Sequence, residues 1–217
     1  MRYALNPPPG GMLHPEPATP MSRIATIERT TKETRVRLSL NLDGSGIYRI
    51  ATSIPFFDHM LALFAKHGLL DLTVEAEGDT GVDDHHTVED VGLCLGDAVA
   101  KALGERTGIN RFGCFAVPMD EALAETALDL SGRPFVMFNV AWGQEKIKQF
   151  DVSLIEEFWR AFATRAQANL HIRAASGKDA HHVSEAIFKA VARALEMAVA
   201  TNPRRAGVPS TKGTLTA

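Results

Sequence analysis

The chain predicts an α+β fold made of two copies of a βββαβα unit, with helices segregated on one face of each sheet. Three observations carry that expectation. The string His-His-x-x-Glu occurs twice, as His85-His86-Thr87-Val88-Glu89 and as His181-His182-Val183-Ser184-Glu185. An offset of 96 superimposes the two strings and lays Leu69 to His86 over Arg165 to His182 without a gap. Further upstream, Leu42-Asp43-Gly44 and Leu130-Ser131-Gly132 end two alternating runs, and Glu33 and Glu121 stand at matching distances before those turns.

Taken in order, strand patterning starts at Arg23, and each half reads as about three antiparallel strands, a helix, a fourth strand and a second helix. The first helix spans roughly Asp58 to Gly68, and Asp71 to Ala76 is a short strand followed by a glycine-containing turn. From Asp90 to Leu103 apolar residues recur at three and four spacing, so the first histidine pair sits at an amphipathic helix N-terminus, with Asp83 and Asp84 as capping candidates. The second half repeats this with a helix over Val152 to Ala166, a strand over Gln167 to Ile172 and a helix over Ala186 to Ala200, capped by Asp179. Ala141 to Phe150 fits no pattern and is given no role. The period is too long and the copies too few for a solenoid. The halves are residues 23–110 and 111–205, with a C-terminal segment at 206–217.

Six of the eleven prolines fall in residues 1–22, where no signal-peptide core is found, so this tail, with His14, is expected to be disordered and Met21 is a candidate start. A net charge of -3 with scattered Lys and Arg, and no interleaved aromatic platform, argues against a nucleic-acid partner. No apolar stretch approaches the roughly 18 to 20 residues of a membrane span. Cys94 and Cys114, lacking Cys-x-x-Cys spacing, read as buried small hydrophobes of a cytoplasmic protein.

Neighbouring helix residues project about 100° apart, so adjacent histidines cannot easily grip one ion, whereas either can share a face with the Glu three or four positions on. With His59 in Phe-Phe-Asp-His-Met and His171 in Asn-Leu-His-Ile-Arg, six histidines and two glutamates divide into two sites of three imidazoles and one carboxylate. One such string would pass as ordinary surface chemistry. Two copies do not, because that many crowded imidazoles without a cation would compete for donors. The thiolate-free donor set suits a borderline divalent ion with positions open for chemistry. His67 reads instead as a helix C-terminal histidine favoured by the dipole. His171 falls opposite Glu75 and His59 opposite Ile155, so the lone ligands are not repeat equivalents, and divergent rings favour a homo-oligomer with shared sites.

The usual protease, esterase, nucleotide and hydride motifs are absent. Arg111, Arg133, Lys189 and Lys212 lie in settings suited to clamping a phosphate, and Glu33 in Thr-Lys-Glu-Thr is either a general base or an exposed strand carboxylate. Two competitors are weaker. A binuclear metallohydrolase would need Asp-rich bridging ligands, and a metal-storage scaffold would need no phosphate clamp.

Six segments carry a family resemblance: Glu28-Arg-Thr-Thr-Lys-Glu33-Thr, Ile54-Pro-Phe-Phe-Asp-His59-Met-Leu, Asp83-Asp-His-His-Thr-Val-Glu-Asp90, Gly108-Ile-Asn-Arg-Phe-Gly113, Asp129-Leu-Ser-Gly-Arg-Pro134 and Pro209-Ser-Thr-Lys-Gly213. With the two histidine strings, they make Arg23 to Leu215 resemble the imidazoleglycerol-phosphate dehydratases of histidine biosynthesis. The resemblance implies halves like ribosomal protein S5 domain 2, with a left-handed βαβ arrangement, and trimers assembled into a 24-subunit shell. It implies two Mn(II) ions per active site, held by His59, His85, His86, Glu89, His171, His181, His182 and Glu185. The implied reaction is loss of water from D-erythro-imidazole-glycerol 3-phosphate, through a metal-held imidazolate and a diazafulvene-like intermediate, to imidazole-acetol phosphate. Glu33 becomes the leading acid/base candidate, with Glu185 sharing that work. Arg111, Arg133, Lys189, Ser210 and Lys212 become the phosphate partners, the last two on a C-terminal loop that closes over substrate. With no phosphatase-like extension, the expected activity is that of a dehydratase alone.

Overall fold

The computed structural model describes residues 22–215, so the expected disordered tail and Met21 start lie outside the described residues. Alternation in the sequence becomes pleated strands with one buried face. The first half runs β1 (Ile24–Thr30), β2 (Thr34–Asn41), β3 (Tyr48–Ala51), α1 (Pro55–His67), β4 (Asp71–Gly78) and α2 (His85–Leu103). On β2, Thr34, Val36, Leu38 and Leu40 are buried while Arg35 and Arg37 are exposed, the mark of a sheet covered on one side. The second half repeats the order as β5 (Phe112–Met119), β6 (Ala122–Asp129), β7 (Phe135–Asn139), α3 (Ser153–Ala166), β10 (Asn169–Ser176) and α4 (Ala180–Val199). A small hairpin, β8 (Lys146–Ile147) with β9 (Phe150–Asp151), interrupts it before α3.

The two sheets have the same strand order, β1-β2-β4-β3 and β5-β6-β10-β7. The first three strands of each half alternate in direction as expected, but the third is not a neighbour of the second. The third strand of each half pairs in parallel with the fourth, β3 with β4 and β7 with β10, because an intervening helix returns the chain in the same direction. Three boundaries also shift. Helix α1 starts at Pro55, whose fixed φ and missing donor suit a first turn. The start of α3 moves from Val152 to Ser153, and Gln167 is its left-handed C-cap (φ 50), so β10 begins only at Asn169. Cys94 is buried as expected, and burial pushes its thiol up to about 12, but Cys114 is exposed on β5. Its neighbours Gly113 and Phe115 take the inward-facing and half-buried positions of that strand.

Helix α2 lies on β1, β2 and β4 and packs against α3, whereas α4 lies on β5, β6 and β10 and packs against α1. Each half thus hands one helix to the other. Gly92 and Gly96, one turn apart on α2, set the α2–α3 approach. A Cβ at Gly92 would stand 2.7 Å from the Phe158 carbonyl oxygen, and one at Gly96 would stand 2.4 Å from that of Phe162. Beside this contact, Phe57, Phe64, Phe158, Trp159, Phe162 and Phe188 fill the core. The segment given no role in the sequence supplies a plug: Phe150 is buried and its ring centre lies 5.1 Å from that of Phe56 and 6.5 Å from that of Phe57. Arg106, buried in the connection between halves, donates to the carbonyls of Leu130 (2.9 Å), Ala166 (2.8 Å) and Gln167 (3.1 Å), so that it closes the C-terminus of α3 from the other half. Gly96→Ala should force α2 from α3 and cost about 1–3 kcal/mol; an unchanged midpoint in chemical denaturation would show that the approach is not limiting.

Candidate metal centre and phosphate pocket

Both histidine pairs open helices, as the spacing requires. The Asp179 carboxylate caps α4 by accepting from the His181 amide at 2.8 Å. On α2, Asp84 occupies the cap position without a side-chain bond, and it is the Asp83 carboxylate that accepts from the His85 amide. Adjacent rings diverge in the same way in both halves: His85 and His86 lie 6.2 Å apart at 81°, and His181 and His182 lie 6.3 Å apart at 83°.

Helix α1 brings His59 to the start of α4. Its Nε2 lies 2.9 Å from Glu185 Oε1, and His181 Nε2 lies 3.1 Å from the same oxygen. The ligand atoms of His59, His181 and Glu185 all fall within 4.8 Å of one another, the only such group of three among the described residues. Lys189, one turn on, donates to Glu185 Oε2 at 2.7 Å. Burial opposes ionisation of Glu185, which is 7% exposed, but hydrogen bonds from Lys189, His59 and His181 outweigh it and hold the carboxyl at about 2. His67 ends α1 as expected, yet burial, then the charges of Lys189 and Arg193, lower its pKa and favour the neutral ring.

The first half gathers fewer ligands. His85 Nε2 stands 3.9 Å from Glu89 Oε2, one turn on. His86 turns Nδ1 to Asp79, at 3.0 and 3.1 Å, and His182 turns Nδ1 to Glu121 at 2.8 Å. Those bonds raise the pKa of both imidazoles. Glu33 lies in the β1–β2 turn, more than half exposed, with its carboxylate 4.0 Å from His86 Nδ1. His171 is apart from all of these on the open face of β10, its ring 5.7 Å from that of Phe135.

The cationic residues separate into two places. Arg111, Arg133, Ser210 and Lys212 line one pocket of ≈ 600 Å³ with Pro209, Thr211 and Thr214. Arg111 is fixed there: Nε and Nη2 donate to Asp129 at 2.7 and 3.0 Å, Nη1 donates to the Pro209 carbonyl at 2.9 Å, and the guanidinium lies over Phe112. Arg133 has no side-chain partner among the described residues. Lys189 is not in this pocket but at Glu185. The two places are far apart, because His181 opens α4 whereas the Arg111 amide bonds Ala198 near its end, about 25 Å away at the usual helical rise.

A family model described as imidazoleglycerol-phosphate dehydratase matches residues 52–195. The chain belongs to the imidazoleglycerol-phosphate dehydratase family. The imidazoleglycerol-phosphate dehydratase of Pelobacter propionicus is 54% identical over 90% of this chain and all of its own length. The crystal structure of the Staphylococcus aureus imidazoleglycerol-phosphate dehydratase is 38% identical, with a TM-score of 0.75 over 82% of this chain and 99% of that one. A crystal structure of the family member from Pyrococcus furiosus, in complex with (S)-C348, is 34% identical, with a TM-score of 0.76 over 87% of this chain and 99% of that one. Membership makes the chain a hydro-lyase of histidine biosynthesis acting on a small-molecule substrate. Among the described residues no helix is long and apolar enough to cross a membrane.

Sequence reasoning missed Asp79 and the part played by Glu121. The signal for Glu121 was present, since it is the repeat counterpart of Glu33. It also missed the buried Asp90, which accepts from Arg29 at 2.8 Å and from the Thr34 hydroxyl beneath the Glu33 turn. For Glu185 the sign of pH dependence follows from a depressed carboxyl. Its contribution is complete above its ordinary value of 4.5 and lost as pH falls toward about 2. In metal-free protein, Glu185→Gln should therefore flatten the loss of stability below about pH 4.5, read as urea midpoints over a pH series; parallel curves for both proteins would count against the assignment.

Proposed function

We propose that the chain converts D-erythro-imidazole-glycerol 3-phosphate to imidazole-acetol phosphate in a manganese-dependent elimination of water, passing through a diazafulvene-like substrate intermediate, at sites completed between subunits. The observation that carries this reading is the length of α4 between the ligand group and the cationic pocket. Imidazole and phosphate are joined by a glycerol chain, far too short to reach from one to the other within a subunit. The ligand count agrees. His59, His181 and Glu185 lack one imidazole, His85 and Glu89 lack two, and His86, His171 and His182 are the three that remain.

The donor set of imidazoles and carboxylates without thiolate fits two divalent ions such as Mn(II). Bound there, they supply Lewis acidity and a template for the substrate imidazole. The remaining work falls to the chain. Glu33 is the acid/base: the Thr31 hydroxyl accepts from the amides of Glu33 and Thr34, at 3.1 and 2.9 Å, and holds the turn that presents its carboxylate. Glu185, held ionised, is a ligand and contributes to proton transfer only as an acceptor. Arg111, Arg133, Ser210 and Lys212 hold the phosphate from a neighbouring subunit's copy of the cationic pocket, with Lys189 adding positive charge from the Glu185 side. Trimers assembled into a 24-subunit shell would provide such junctions, and the cytoplasm is the place of the reaction.

Purified protein should form the ketone product with Mn(II) and lose that activity when stripped with chelator. Glu33→Gln should lower turnover by about 10²–10⁴-fold with assembly intact, and retained turnover would remove Glu33 as the base. Shared sites have their own test: Glu185→Gln and Arg133→Ala, each inactive alone, should regain activity when co-expressed as mixed oligomers. Mixed oligomers as inactive as their parents would place each site in one subunit.

A further inference from the structure

The duplication puts a carboxylate beside the second histidine of each pair, but draws it from different places. In the second half Glu121 Oε2 meets His182 Nδ1 at 2.8 Å, while Glu121 Oε1 accepts from the amides of Lys178 and Asp179, at 3.1 and 2.9 Å. Glu121 is thereby tied to the segment that leads into α4. In the first half its counterpart Glu33 accepts no side-chain hydrogen bond among the described residues and stands 4.0 Å from His86 Nδ1. There the carboxylate of Asp79 takes the contact, through both oxygens, from the turn after β4. The offset of 96 that aligns the histidines puts Ala175 opposite Asp79, so the second half has no equivalent of it. Each half holds its second histidine with one carboxylate, and only in the first half does that leave a glutamate over.

An ionised carboxylate only accepts, so Nδ1 of His86 and of His182 carries a proton, and in the neutral ring, the form that binds a metal, the lone pair is then on Nε2. His85 and His181 are arranged differently, with Nε2 already turned to the Glu one turn on. Around His182 Nε2, the exposed Asp120 carboxylate stands 3.7 Å away, beyond hydrogen-bond reach.

We propose that Asp79 and Glu121 are positioning residues that fix the Nδ1-protonated tautomer and ring orientation of His86 and His182, presenting Nε2 to a divalent metal, and that Asp79 thereby releases Glu33 for proton transfer. The inference rests on the proposed metal-dependent function. It makes the two carboxylates the outer partners of imidazole ligands, an arrangement whose loss typically weakens metal binding about 10–100-fold.

The test is a Mn(II) titration of the assembled protein, with free Mn(II) followed by its electron paramagnetic resonance signal. Asp79→Ala and Glu121→Ala should each weaken binding about 10–100-fold, with turnover recovering at saturating Mn(II) and KM for substrate little changed. Asp79→Glu and Glu121→Asp should recover part of the affinity, which a general loss of structure would not permit. Glu33→Gln should bind Mn(II) as the unsubstituted protein does while losing turnover. Unsubstituted affinity in both alanine variants would overturn the positioning role, as would weakened binding in Glu33→Gln equal to that in Asp79→Ala. Should the unsubstituted protein itself bind no Mn(II), the metal reading fails first. If an alanine variant does not assemble, Asp79→Asn and Glu121→Gln, which keep volume and remove charge, carry the same measurement.

Discussion

A helix turns by about 100° per residue, and for two adjacent histidines this means that one helix start must serve two directions. Each pair here obeys it, with rings at 81° in one half and 83° in the other. The first histidine of each pair shares its face with the Glu one turn on, and the second turns away from it, His86 to Asp79 after β4 and His182 to Glu121 in the β5–β6 turn. No arrangement of side chains on one such helix can enclose an ion with both rings. A partner element must therefore bring the missing donors. For one group that element is α1 with His59, inside the same chain, while among the described residues His171, on the open face of β10, joins no such group. Under the proposed function, helix geometry makes assembly the way to complete each site.

The same frame carries different chemistry in its two copies. Arg23 and Arg111 are counterparts at the offset of Glu33 and Glu121, and both pair with a carboxylate at the far end of the next strand, Asp43 and Asp129 respectively. Yet Arg23 binds the Val199 carbonyl at the end of α4, whereas Arg111 points to the C-terminal segment and lines the pocket. Beneath Glu33, the half-buried Arg29 and buried Thr34 and Asp90 form a polar network, and the matching positions of the second half are Val117, Ala122 and Ala186. A buried carboxylate is costly unless paired. Its presence only under the turn that carries Glu33 marks the half in which the position of that turn matters most.

Much of this was legible in the sequence because it depends on local periodicity. The repeat, the helices and the placement of histidine pairs at helix starts follow from spacing alone. The parallel pairing of β3 with β4 was not legible, since alternation along a strand is the same whichever way its neighbour runs; the docking of α1 decides it. Cys114 looked buried because its neighbours are apolar, but in a strand neighbours face opposite ways. The hairpin that seats Phe150 has no counterpart in the first half, so the internal comparison that revealed the other elements had nothing to say about it. Asp79 was missed for a related reason: it has no repeat partner, and only folding of the turn after β4 brings it to His86.

Sites shared between subunits, as proposed above, would couple metal, substrate and subunit contacts thermodynamically. The His59, His181 and Glu185 group lies at one end of α4 and the cationic pocket near the other, and under the proposed function a short substrate bridges two chains rather than one. A ligand that binds only the assembled form stabilises assembly in proportion to its occupancy, and assembly raises the affinity for that ligand by the same factor. Glu185 shows what the isolated chain does in the meantime. Its carboxylate is paired with Lys189 and bonded to two imidazoles, which holds the group in place. Under the proposed function, donors already held together in this way lose little conformational freedom on binding an ion, which leaves more of the binding free energy to favour a shared site.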